Sequence, residues 1–113
     1  MVVHGKRRGT ALGYPTANVM LLHPVAGGVY AARTTIEGIE GQETVHDSVV
    51  FVDPSRDILE SHLLNFSGDL YDKTITVELL KHLRDSRAYQ TDEEIRAAIA
   101  QDIRNVQSYF AQV

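Results

Sequence analysis

"GGVYAARTTI", residues 27–36, is the stretch that decides the fold. Two glycines punctuate its start, and the chain then alternates. Val29, Ala31, Arg33 and Thr35 leave one side, and Tyr30, Ala32, Thr34 and Ile36 leave the other. Successive side chains of an extended backbone point to opposite faces, so this period of two predicts a strand.

The same reading repeats outward from it. Upstream, "VMLL" (19–22) reads as a short strand. Downstream, "EGIEGQETVHD" (37–47) reads as a polar hairpin connection, and "SVVFV" (48–52) as a strand apolar on both faces. Asp53-Pro54-Ser55 stops that strand with turn chemistry. In "DILESHLLNF" (57–66), Ile58, Glu60, His62, Leu64 and Phe66 share one face, and Leu59, Ser61, Leu63 and Asn65 the other. "SGD" (67–69) turns the chain, and "LYDKTITVELLKHL" (70–83) reads as a further strand or strand pair. Several short strands between turn signals predict a small, mainly β barrel or sandwich.

The end of the chain changes period. Thr91 and Glu94 have capping-box spacing, and Asp92 and Glu93 suit the positive end of a helix dipole. Ile95, Ala98, Ile99, Ile103 (with Asp102 beside it), Val106 and Phe110 then recur at helical spacing, predicting an amphipathic helix over 92–110.

With 113 residues the chain is expected to form one domain, 1–113, with a modest core. It has no cysteine, which excludes disulfides and thiolate chemistry. No apolar run approaches the ~20 residues of a membrane span, and no secretory pattern opens the sequence. The expectation is a cytoplasmic protein without a membrane partner. The net charge is −4, and the one dense basic run is Lys6-Arg7-Arg8. A nucleic-acid binder normally carries a basic stripe, so the charge pattern favours a small local anion and no nucleic acid.

That basic run lies inside "GKRRGTALGYPTAN" (5–18), with glycines at 5, 9 and 13. The spacing is neither that of a Walker A loop nor that of G-x-G-x-x-G. Its chemistry nevertheless suits a polyphosphate: glycines let backbone N–H groups approach an anion, and arginines add charged donors. Thr16 and Asn18 would point to one side of an extended segment. A hydroxyl and an amide oxygen are hard neutral ligands of the kind Mg²⁺ accepts when phosphates and water complete its shell. On these residues alone a plain surface glycine turn is equally open. His62 stands two residues from Glu60 like a base and its partner, yet such a histidine is ordinarily a hydrogen-bonded core or rim residue. Histidines 4, 23, 46 and 82 have no metal-ligand spacing.

"HGKRRGTALGYPTAN" resembles the opening of the riboflavin kinases, whose pattern is a G-x-x-R-G loop followed by L-G-[FY]-P-T-A-N. "GGVYAAR", "ESHLLNFSGDLY" (60–71) and "VELLKHLRDSRAYQT" with the final helix are similar to later blocks of that family, in the same order. The resemblance implies a six-stranded Greek-key β-barrel with a C-terminal helix. It implies transfer of the ATP γ-phosphate to the terminal ribityl hydroxyl of riboflavin, giving FMN and ADP. Glu60 would be the catalytic base, and Thr16 and Asn18 would contact Mg²⁺ and phosphates. Gly5, Arg8, Gly9, Thr10 and Gly13 would close over the phosphates. Leu63, Asn65 and Tyr71 would lie around the nucleotide, and Arg84, Arg87 and Tyr89 at the flavin. Without the resemblance, Glu60 would read as a rim residue and Arg84 and Arg87 as solvated charges.

The chain departs from the family pattern in places. Phe51 and Asp53 stand where V-x-N-I-G has its asparagine and glycine, and the connection after them is shortened. Asp72 replaces a glycine and Asp85 a proline. These departures set a second reading beside the kinase: a flavin- or nucleotide-binding regulatory module with little turnover. Bacterial members of the family are commonly fused to an FAD synthetase domain. The resemblance therefore leaves open an excised module or a stand-alone protein.

Overall fold

A computed structural model describes residues 2–3, 16–38, 43–66 and 74–112. They form one antiparallel sheet and a helix. The strands are β1 (Val2–Val3), β2 (Ala17–Met20), β3 (Gly28–Glu37), β4 (Glu43–Asp53), β5 (Ile58–Leu63) and β6 (Ile75–Arg84). A 3-10 turn, Pro54–Arg56, joins β4 to β5, and helix α1 spans Asp92–Ala111. The spatial order is β1-β2-β5-β4-β3-β6. Strands β3, β4 and β5 form a meander and β6 returns to lie beside β3, which is the Greek-key order.

The sheet curls. Ala17 of β2, Ile36 of β3, Leu63 of β5 and Ile75 of β6 form one buried cluster. Three strands separate β2 from β6 in the ladder, so their contact requires the sheet to bend back on itself. A second interior cluster joins Tyr30, Ala32, Val50, Val52 and Leu59. The interior also holds a satisfied polar trio, with Thr34 Oγ1 at 2.9 Å from Ser48 Oγ and 2.8 Å from Ser61 Oγ. Among the described residues no ladder closes β6 onto β1 or β2. The expected six-strand barrel is therefore an open curl of five substantial strands and one two-residue strand. A cavity of about 380 Å³ lies along the seam, lined by Val19, Leu21, Val77 and Leu79 among others.

Helix α1 covers the outer face. Val106 is fully buried against Val29, Ala31 and Val49, with Ile103, Tyr109 and Phe110 packed around them. This explains why β3 and β4 are apolar on both faces: one side meets the interior and the other meets the helix. Thr91 caps the helix, its Oγ1 accepting from the Glu94 N–H at 3.1 Å. The Glu94 carboxylate reaches back to the Gln90 N–H at 3.1 Å.

Two element boundaries differ from expectation. The segment 37–47 was expected as a polar connection, but Glu43–Asp47 continue β4 and pair with β3 from Glu37↔Glu43 onward. The ribbon there extends beyond the core, so its residues are polar although extended. The strand expected over 19–22 is Ala17–Met20. Its partner β5 begins at Ile58, so the ladder ends at Met20↔Ile58 and Leu22 is left 97% exposed.

Candidate active site

Ladder register lines up one residue from each of five strands on the helix-bearing face. Asn18 pairs with Glu60, Glu60 with Phe51, Phe51 with Val29, and Val29 with Arg84. Directly opposed residues of an antiparallel ladder point to the same side. At about 4.8 Å per strand, Glu60 and Arg84 stand roughly 14 Å apart along the sheet.

At the β2 end, the interior claims Ala17 and Val19, which sends Thr16 and Asn18 to the outer face. Asn18 is fully buried. Thr16 Oγ1, Asn18 Nδ2 and Asn18 Oδ1 are buried and find no hydrogen-bond partner among the described residues. Buried polar groups are nearly always satisfied, and an exception calls for an explanation. Two oxygen donors left free side by side fit a small hard cation or a phosphate-bearing ligand.

Glu60 is next in the row. Its side chain is 17% exposed, and Arg56 Nη2 stands 3.6 Å from its Oε1. Arg56 is held in turn by Asp53, whose Oδ2 accepts from Arg56 Nε at 2.7 Å. Asp53 Oδ1 accepts from the Ser55 N–H at 3.1 Å and from Ser55 Oγ at 2.6 Å. Hydrogen bonds from Ser55 and then Arg56 lower the Asp53 pKa below its ordinary value. Asp53 raises that of Arg56, with Glu60 adding to it. Phe51, on the other side of Glu60, packs against the helix-covered cluster of Val29, Val49 and Val106.

Arg84 closes the row at β6. It meets Asp102 of α1 in a two-point bond, Nε to Oδ1 at 2.8 Å and Nη2 to Oδ2 at 2.7 Å. That contact, partly opposed by burial and aided by Tyr89, raises the Arg84 pKa. Tyr89 therefore stands beside Arg84, while Arg87 is exposed on the connection before the helix.

The expected nucleotide residues divide. Thr16, Asn18 and Glu60 share one end of the outer face. Leu63 is buried in the interior cluster, on the opposite face from Glu60. Asn65 is exposed just beyond β5, with φ at 55°. Gly5, Arg8, Gly9, Thr10, Gly13 and Tyr71 lie outside the described residues, as does Asp72. His62 is half-buried and faces Val49 across the ladder.

A family model described as riboflavin kinase, or flavokinase, matches residues 1–110. The chain belongs to the riboflavin kinase family. Within it, the domain is 34% identical over 117 residues to the bifunctional riboflavin kinase/FMN adenylyltransferase of Buchnera aphidicola from Schizaphis graminum, covering 96% of this chain and 37% of that one. The protein of the same name from Escherichia coli is 34% identical over 115 residues, covering 96% and 36%. A crystal structure of a macrolide-efflux protein from Streptococcus pneumoniae has a TM-score of 0.79 and 28% identity, covering 95% of this chain and 36% of that one. The domain thus spans little more than a third of the curated relatives it matches. Among its described residues no helix is long and apolar enough to cross a membrane.

Two residues in contact with the row were not singled out as site residues by the sequence reading: Arg56, beside Glu60, and Asp102, bonded to Arg84. Arg56 gives no signal, since a lone arginine after Pro-Ser reads as a solvated turn residue. Asp102 does give one: an acid within an apolar helical stripe implies a partner.

Proposed function

We propose that this domain is a riboflavin kinase, transferring the γ-phosphate of ATP to the terminal ribityl hydroxyl of riboflavin. The observation that carries the reading is the pairing of Glu60 with Asn18, beside polar atoms of Thr16 and Asn18 that are buried without partners. In the transfer the ribityl oxygen bonds to the γ-phosphorus, the bond to the β–γ bridging oxygen breaks, and ADP leaves. Glu60 takes the hydroxyl proton, a contribution of about 10²–10⁴-fold for a positioned base.

The Thr16 hydroxyl and the Asn18 amide oxygen fit a Mg²⁺ ion accompanying the nucleotide. When bound, that ion supplies charge neutralisation on the phosphates. The glycine loop of residues 5–13 lies along the chain just before them and is assigned to the phosphates. Leu63, Asn65 and Tyr71 are assigned to the nucleotide; Leu63, buried on the face opposite Glu60, would meet it only from the interior side of β5. At the other end of the row Arg84, Arg87 and Tyr89 are assigned to the flavin. The roughly 14 Å between Glu60 and Arg84 suits a substrate whose reacting hydroxyl lies at the end of a ribityl chain. FMN is the compound that the adenylyltransferase named in the bifunctional relatives uses, so a fused FAD-forming unit is the natural consumer of the product. Use of ATP as the phosphate donor supports a cytoplasmic location.

The test is chromatographic detection of FMN from riboflavin, ATP and Mg²⁺, with Glu60→Gln alongside. FMN from the wild type, and a loss of 10²-fold or more in a folded Glu60→Gln variant, is the expected result. Equal rates would remove Glu60 from the mechanism.

A further inference from the structure

The turn between β4 and β5 is more tightly built than a surface connection requires. Asp53 ends β4 and caps the 3-10 turn Pro54–Arg56. One of its carboxylate oxygens takes both Ser55 donors and the other takes Arg56 Nε at 2.7 Å. The guanidinium is planar with its donors in a fixed fork. Anchoring Nε to Asp53 therefore restricts where Nη2 lies, and Nη2 is 3.6 Å from Glu60 Oε1. The Arg56 and Glu60 side chains are 33% and 17% exposed, so their contact is sheltered more than a surface ion pair.

We propose that Arg56, anchored by Asp53, is a positioning residue that fixes the Glu60 carboxylate for its work as base. The proposal rests on the reading of Glu60 given above. The family pattern has glycine at the place of Asp53, and glycine has no side chain to hold an arginine. The departure at residue 53 therefore supplies the anchor of a short acid–base–acid relay, Asp53 to Arg56 to Glu60, running from the turn into the row. Geometry of reacting groups controls rate steeply, because a catalytic group must lie within hydrogen-bond reach of the proton it takes. A long glutamate side chain with no fixed partner spends much of its time elsewhere.

The experiment combines turnover with a direct view of Glu60. In the wild-type background Arg56→Gln is expected to lower kcat roughly tenfold with the KM for ATP unchanged, and Arg56→Lys to recover part of the loss. Asp53→Asn moves kcat the same way, and the Asp53→Asn/Arg56→Gln pair is no slower than Arg56→Gln alone. Arg56→Gln in the Glu60→Gln background slows nothing further. The second readout is the carboxyl ¹³C resonance of Glu60 at fixed neutral pH, which is expected to move in both Arg56→Gln and Asp53→Asn. An unmoved resonance in Arg56→Gln overturns the proposal whatever the turnover shows. A loss in Arg56→Gln that is equally large without Glu60 also overturns it, because Arg56 then acts on the substrate directly. If Glu60→Gln is as active as wild type while the resonance still responds to Arg56, the base assignment has failed and the contact has not.

Discussion

Asn18 and Glu60 face each other across the β2–β5 ladder, and the amide of Asn18 is fully buried with neither polar atom bonded among the described residues. A neighbouring carboxylate, half-buried in turn, adds to the cost of such a site. The fold keeps polar groups here that an apolar side chain would replace with a gain in stability. Buried polar groups without partners call for an explanation, and a bound ligand is the one proposed above.

Thr16→Val tests this trade-off. It keeps the shape of the side chain and removes a buried hydroxyl that has no partner. An unsatisfied buried polar group costs about 1–3 kcal/mol, so the ligand-free variant is expected to melt no lower than wild type. Its affinity for Mg-nucleotide, measured by calorimetry, is expected to fall. A lower melting temperature with unchanged affinity would make Thr16 a structural residue.

Phe51, one of the departures from the family pattern, adjoins Glu60 in the ladder. Its ring packs with the helix-covered cluster, which makes it part of the core beneath α1. Phe51→Ala is therefore expected to destabilise the domain by about 3 kcal/mol, at the low end for truncating a phenylalanine because the ring is half-buried. Turnover at a temperature where the variant is folded should stay within a few-fold of wild type. A large rise in turnover on truncation would instead show the ring obstructing the site.

Acid should loosen the turn that carries Arg56. The Asp53 carboxyl is held below its ordinary value of 3.8 by Ser55 and Arg56. A lowered native value means that its contribution is fully present above the unfolded value. It is lost as pH falls through the lower folded value. Melting temperature should therefore drop as pH falls below about 4, and Asp53→Asn should flatten part of that slope. A slope identical in the variant would mean that other carboxylates account for it.

The strands were legible where one chemistry ruled a whole face. The β3 alternation and the doubly apolar centre of β4 each matched their burial, because interior and helix both press on them. The helix was legible from its cap and its stripe. Strand β2 was less so: its buried positions are Ala17 and Asn18, a small and a polar side chain that no hydrophobic pattern marks. The resemblance supplied roles for Thr16, Asn18 and Glu60, but the pairing of Asn18 with Glu60 was not legible, since sequence separation says nothing of ladder register. Arg56 was beyond reach because its partners depend on the path of a 3-10 turn.

The two-point bond from Arg84 to Asp102 fastens helix to sheet. Asp102 is 1% exposed and accepts two charged hydrogen bonds. Asp102→Asn leaves the guanidinium partly buried without a counter-charge, and breaking a buried pair from one side costs about 3 kcal/mol or more. For a domain of this size that corresponds to a fall of roughly 10 °C or more in Tm. Replacing both partners, as Arg84→Met with Asp102→Leu, should recover most of the loss, because well-packed apolar pairs substitute for buried ion pairs. Flavin affinity then separates the two roles of Arg84. If the stable double variant binds riboflavin as wild type does, Arg84 serves only to fasten the helix. If stability returns and flavin binding does not, the same guanidinium that anchors α1 also reads the flavin.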